Sequence, residues 1–89
     1  MICKYQELTR LEMEQVDREN TIVLIPLGAL EQHGNQAPLG TDTLIATAMC
    51  DYIEKELKDE DINLLLFPVI PVGLSTEHKE FCGSITFKP

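Results

Sequence analysis

Thr21-Ile22-Val23-Leu24-Ile25-Pro26-Leu27 is an apolar run without polar alternation, so it reads as a strand covered on both faces, as in a parallel sheet. Pro26 falls near its end, where one lost amide hydrogen bond is tolerable. The run Leu64-Leu65-Leu66-Phe67-Pro68-Val69-Ile70 repeats the pattern and again stops at a proline and a glycine, Pro71 and Gly73. Between the two, residues 43–57 carry a helical period: Ile45, Ala48, Met49, Tyr52, Ile53 and Leu57 form one stripe, while Glu54, Lys55, Glu56 and Lys58 face water. Strand, helix and strand in this order predict an α/β chain built on a βαβ unit, with parallel strands and a right-handed crossover.

Ligands of such sheets gather beyond the carboxyl ends of the strands. The loop after the first strand, Gly28-Ala29-Leu30-Glu31-Gln32-His33-Gly34 and onward to Asp42, holds three potential metal ligands: Glu31, His33 and Asp42. Glu31 and His33 are two residues apart, so an extended backbone points both side chains to one side. Gly34, Pro38 and Gly40 let the loop fold back and bring Asp42 beside them. One imidazole with two carboxylates suits zinc, manganese or iron, and a carboxylate can bridge two ions. Each residue also has a plainer role: Asp42 as a carboxylate at a helix N-terminus, Glu31 and His33 as solvated loop residues.

The loop after the second strand carries Ser75, Glu77 and His78. No nucleophile elbow surrounds Ser75, and residues this close in sequence rarely meet in triad geometry, so a serine hydrolase is not indicated. A polar loop tied by local hydrogen bonds accounts for them equally with a role in facing substrate. Elsewhere, Thr9 with Glu12 forms a capping-box pair that opens a short amphipathic helix within residues 8–20, ending near Asn20. Asp59-Glu60-Asp61 reads as a solvated turn, and residues 84–87 as the opening of a third extended segment.

Eighty-nine residues make at most one small domain, burying about 60–65 % of its unfolded surface. The formal charge of −8 argues against nucleic acid or an anionic membrane as partner. No stretch approaches a transmembrane helix and the N-terminus lacks a signal peptide's apolar core, so the expected location is cytoplasmic. Cys3, Cys50 and Cys82 are odd in number and widely spaced, which indicates reduced thiols; Cys50 reads as a small core residue, and Cys82 lacks an identifiable activating base apart from His78.

Gly28 to Gly34, then Pro38-Leu39-Gly40-Thr41-Asp42, resemble the signature of the creatininase (creatinine amidohydrolase) family. Gly73-Leu74-Ser75-Thr76-Glu77-His78 and Phe81-Cys82-Gly83-Ser84-Ile85-Thr86 resemble its next motif. The resemblance implies an oligomeric α/β/α domain with a largely parallel sheet, hydrolysing a cyclic amide or related C–N bond with two divalent ions, zinc, manganese or iron. Glu31 would hold one ion, His33 the other, and Asp42 would bridge them; Ser75 and His78 would face a small-molecule amide substrate. Creatinine, a formamide and a peptide are all compatible substrates.

Two departures qualify the match. Gln36 stands where the family commonly has histidine, which bears on substrate choice more than on metal binding; Cys82 stands where it more often has proline. The chain, residues 1–89, is expected to be a single partial domain, the N-terminal portion of a creatininase-like domain. The family's later histidine and acidic ligands have no counterpart here. By itself the chain is then expected to be inactive, either truncated or completed by another chain or copies of itself. The competing expectation is a noncatalytic α/β interaction module that binds a partner through an uncovered apolar face.

Overall fold

The structure, a computed structural model, describes residues 1–88. Its frame is a three-stranded parallel sheet in the order β1-β3-β2, formed by β1 (Ile2–Lys4), β2 (Thr21–Leu24) and β3 (Asn63–Leu66). β2 and β3 align Thr21 with Asn63 through Leu24 with Leu66, and α2 (Thr41–Leu57) connects them. This is the parallel strand-helix-strand unit expected from the two apolar runs.

Both strands are shorter than those runs. Pro26 and Pro68 have no amide to donate, so regular pairing stops before them. It resumes as a single parallel bridge between Leu27 and Ile70, flanked by Ile70 N–H to the Pro26 carbonyl (3.0 Å) and Gly28 N–H to the Ile70 carbonyl (2.8 Å). The two motif-bearing loops therefore leave the sheet side by side.

The amino-terminal segment differs from expectation in two ways. Ile2–Lys4 forms an unforeseen strand, parallel to β3. The helix expected over residues 8–20 is only α1 (Arg10–Glu14), with the predicted capping box of Thr9 and Glu12 in place. The chain leaves helical geometry at Gln15, and Arg18–Asn20 form a separate 3₁₀ turn. The hydrogen bond from the Thr9 backbone N–H, then that with its side chain, holds the Glu12 carboxyl below the ordinary carboxylate range. A lowered folded-state value gives a contribution that is complete above the unfolded pKa and is lost as pH falls through the folded one. The protection factors of the α1 amides, exchange rates corrected for their intrinsic pH dependence, should accordingly fall on acidification, and Glu12→Gln should remove that dependence.

Leu64 and Leu65, each 0 % exposed, are the buried hydrophobic core among the described residues. Neighbouring residues of a strand point to opposite faces, so the central strand places one leucine in each layer. The helix does not pack as its strongest apolar stripe suggested. Ile45, Met49 and Tyr52 are exposed, whereas Thr43, Ala46, Cys50, Ile53 and Leu57 are half-buried and define the inward side. A helix apolar on two sides belongs between two layers, and only one is present among the described residues. Cys50, expected in the core, is only half-buried, because the helix seats loosely on the sheet; partial burial, then the neighbouring Asp51 charge, pushes its thiol upward.

The uncovered surface is large. The chain exposes 6705 Å², against roughly 5,200 Å² for a compact protein of this mass, and its radius of gyration is 16.1 Å, against roughly 12 Å. The excess of roughly 1,500 Å² exceeds one partner's share of a standard interface. No helix among the described residues is long and apolar enough to cross a membrane.

Candidate metal centre

Glu31, His33 and Asp42 meet although nine residues separate the last two. Three backbone ties fold the loop. His33 bridges to Ala37, the Glu31 N–H donates to the Leu39 carbonyl (3.2 Å), and the Thr41 N–H donates to the Pro38 carbonyl (3.1 Å). Gly34, at φ 76°, makes the turn in a left-handed conformation that favours glycine. Asp42 lies in the first turn of α2, whose N-cap Gly40 offers no side chain. Its carboxylate therefore gains from the helix dipole while pointing at the imidazole, so the structural and ligand roles of Asp42 coexist.

His33 Nε2 is 3.2 Å from Asp42 Oδ2 and 3.9 Å from Glu31 Oε1. One ligand atom from each of the three residues lies within 4.8 Å of the others. Bonds of about 2.0–2.2 Å to a tetrahedral ion set neighbouring donors about 3.4 Å apart, so these residues fit a divalent ion after small closures. The side chains of Glu31, His33 and Asp42 are 15 %, 27 % and 37 % exposed, shielded but open to an entering ion. Two carboxylates about one imidazole also concentrate the negative charge that a dication neutralises.

The second loop is stitched onto the first. Leu30 pairs antiparallel with Ile85, and the Ile85 N–H donates to the Leu30 carbonyl at 2.8 Å. The Gln32 N–H donates to Ser84 Oγ at 3.0 Å. Residues 84–87 are thus used as a clasp, and Thr76–His78 form a 3₁₀ turn against the first loop. His78 Nε2 comes within 3.9 Å of Glu31 Oε2, and Glu31, Glu77 and His78 form a second group with ligand atoms inside 4.8 Å. Ser75 lies deeper, 1 % exposed, with its N–H donating to Thr86 Oγ1 at 2.7 Å.

Gln32 and Ser84 were not singled out individually from sequence. Their signal was position alone: each lies inside one of the two loop motifs, and pairing across 46 to 52 residues gives it meaning. The three cysteines are free, with Cys82 exposed. An open cleft of about 290 Å³ between α2 and the sheet, lined by Leu24, Thr47, Cys50 and Phe67 among others, includes none of the metal-centre residues.

An α/β chain whose parallel strands deliver carboxylates and imidazoles beyond their carboxyl ends places them where ligand sites of such folds form. Residues 6–89 match the creatininase family, described as creatinine amidohydrolase, and the chain belongs to that family. It is 39 % identical over 85 residues to the mycofactocin precursor peptide peptidase of Mycobacterium tuberculosis, covering 90 % of this chain and 34 % of that protein. It is 33 % identical over 79 residues to the creatinine amidohydrolase of Pseudomonas putida, covering 88 % and 28 %. The fold superposes on a solved creatininase described as a manganese form, with a TM-score of 0.73, 26 % identity, and coverage of 96 % of this chain and 34 % of that one. A mutant creatininase of zinc–zinc type gives 0.71 and 27 %, covering 96 % and 33 %. The chain therefore spans about a third of the length of the relatives it matches.

Proposed function

We propose that this chain supplies half of the metal centre of a creatininase-type amidohydrolase, completed by protein outside residues 1–89. The observation that carries the proposal is the meeting of Glu31, His33 and Asp42 at the carboxyl end of a parallel sheet, with donor atoms inside 4.8 Å. Glu31 would hold one divalent ion and His33 a second, with Asp42 shared between them; zinc, manganese and iron all suit this donor set. When bound, the ions supply Lewis-acid polarisation of an amide carbonyl and activation of water at neutral pH.

The residues of the chain do the rest. Asp42, anchored in the first turn of α2, fixes the centre to the helix, and the loop ties hold Glu31 and His33 to the sheet. No serine or cysteine nucleophile is required. Ser75 and His78 sit in the loop that borders the centre, where they are proposed to line the substrate side. Ser75 is buried and both ring nitrogens of His78 face protein groups. The substrate is a small molecule or short peptide presenting an amide or related C–N bond to this edge. The likenesses to a peptide peptidase and a creatinine amidohydrolase support an amide as the shared chemistry. The proposed setting is the cytoplasm, in an assembly of copies or with a completing chain.

The test is hydrolysis by the intact, metal-loaded protein of three substrate types: a cyclic amide, an N-formyl compound and a short peptide. Turnover of one of them, lost on chelation and regained with zinc or manganese, is expected. Metal-loaded protein inert toward all three would contradict an amidohydrolase.

A second reading draws on the exposed stripe of Ile45, Met49 and Tyr52: a noncatalytic module that docks through this face. Tight association with another protein, without metal or turnover, would favour it.

A further inference from the structure

We infer that His78 is a positioning residue for Glu31: Gln32 locks its ring in the Nε2–H tautomer and aims that N–H at Glu31 Oε2, leaving Oε1 for the ion. The inference rests on the proposed metal centre and deepens it. The observation is a directed chain of hydrogen-bonding groups. The N–H of Gly34 donates to Gln32 Oε1 at 2.9 Å, which fixes that amide so that its nitrogen end faces away from Gly34. Gln32 Nε2 then lies 3.1 Å from His78 Nδ1. An amide nitrogen only donates, so Nδ1 accepts and a neutral ring carries its proton on Nε2.

Nε2 faces two carboxylates at the same distance, Glu31 Oε2 and Glu77 Oε1, each 3.9 Å away. Solvent separates them: the Glu77 side chain is 70 % exposed and that of Glu31 only 15 %. The shielded partner gains more from the same donor, because water screens the other. Roughly 1 Å of closure makes the contact with Glu31 a hydrogen bond. The opposite oxygen, Glu31 Oε1, is the one turned toward His33. A carboxylate held on one oxygen by a donor presents the other to a metal in a defined orientation.

The anchors come from both loops. The backbone N–H of Gln32 is fixed to Ser84 Oγ, and Phe81 lies beside the imidazole with ring centroids 6.3 Å apart. Gln32 therefore does not bind metal, but sets the state of a histidine 46 residues away.

The test has a readout independent of activity. Long-range proton–nitrogen correlation spectra of the metal-free intact protein, at mildly alkaline pH, should show His78 as the Nε2–H tautomer. Gln32→Glu keeps the shape but replaces the donor with an acceptor, and should shift the proton to Nδ1. In metal titrations, His78→Phe should weaken binding about 10–100-fold; His78→Gln, which keeps a donor near the Nε2 position, should recover most of it. Glu77→Gln should leave affinity unchanged. An Nδ1–H tautomer in the wild-type protein, or native affinity in folded His78→Phe, would overturn the inference. So would a loss in Glu77→Gln equal to that in His78→Phe, which would make the pair ligands of an ion. Should His78→Phe not fold, the wild-type tautomer and its response to Gln32→Glu decide the matter. Wild-type protein that binds no metal would overturn the proposed function instead, and the two failures are distinguishable because the tautomer is read without metal.

Discussion

Leu65→Ala is expected to destabilise the protein by about 2–5 kcal/mol, enough to remove most of the stability of a small domain. Leu64 and Leu65 are both 0 % exposed and lie on the strand that both other strands pair with. Because neighbouring strand residues face opposite sides, each leucine is the centre of one layer and neither can compensate for the other. Truncation leaves a cavity beneath the sheet that short strands and a loosely seated helix can fill only by collapsing. Leu11→Ala, at a position 59 % exposed, is the control and should change stability by no more than about 0.5 kcal/mol. Urea unfolding compares the two. A shift for Leu65→Ala no larger than the control would mean that the core lies elsewhere.

Gly28→Ala is expected to cost metal binding as well as stability, although residue 28 touches no ligand. A Cβ at this position would lie 2.8 Å from the Thr43 backbone Cα, closer than real contacts allow. The obstacle is backbone, so it cannot swing aside as a flexible side chain would. Thr43 adjoins Asp42 in the first turn of α2, and its hydroxyl is buried without a hydrogen-bond partner among the described residues. Relieving the clash moves that turn away from the strand and carries Asp42 off the Glu31–His33 pair. A displacement near 1 Å is large for a site in which Asp42 must stay beside both Glu31 and His33. The expected loss is at least about tenfold in metal affinity, a change of about 1.4 kcal/mol, together with a lowered unfolding midpoint. Thr43→Ala should not rescue the variant, because the Cα remains in the way. Wild-type metal affinity in Gly28→Ala would show that the helix and strand are not rigidly coupled.

The strand-helix-strand core was legible in sequence because β2 and β3 each occupy an apolar run that needs two covered faces. The Thr9–Glu12 capping box was legible for a similar reason, being a local device. β1 was not, since three residues carry no usable period and become a strand only by pairing with β3. The extent of α1 was misread because charged residues with occasional apolar ones continue past Gln15 without a breaker such as proline or glycine. On α2 the period identified the helix but not its inward side, as two apolar stripes compete and one awaits a covering layer.

At the site, Glu31, His33 and Asp42 were individually visible, and the structure brings them together. Their convergence depends on Gly34, the Leu39 carbonyl and the start of α2 acting in concert, which spacing suggests but does not determine. The contact of Gln32 was unreadable because its partner, His78, arrives from the other loop.

Metal content of the intact protein purified without added metal or a metal-binding tag, measured beside an Asp42→Ala variant, tests the central claim most directly. Near-stoichiometric zinc, manganese or iron in the wild type, lost in a folded Asp42→Ala protein, is the predicted result. Equal metal in both, or none in a folded wild-type protein after incubation with zinc or manganese, would contradict a centre built on Glu31, His33 and Asp42.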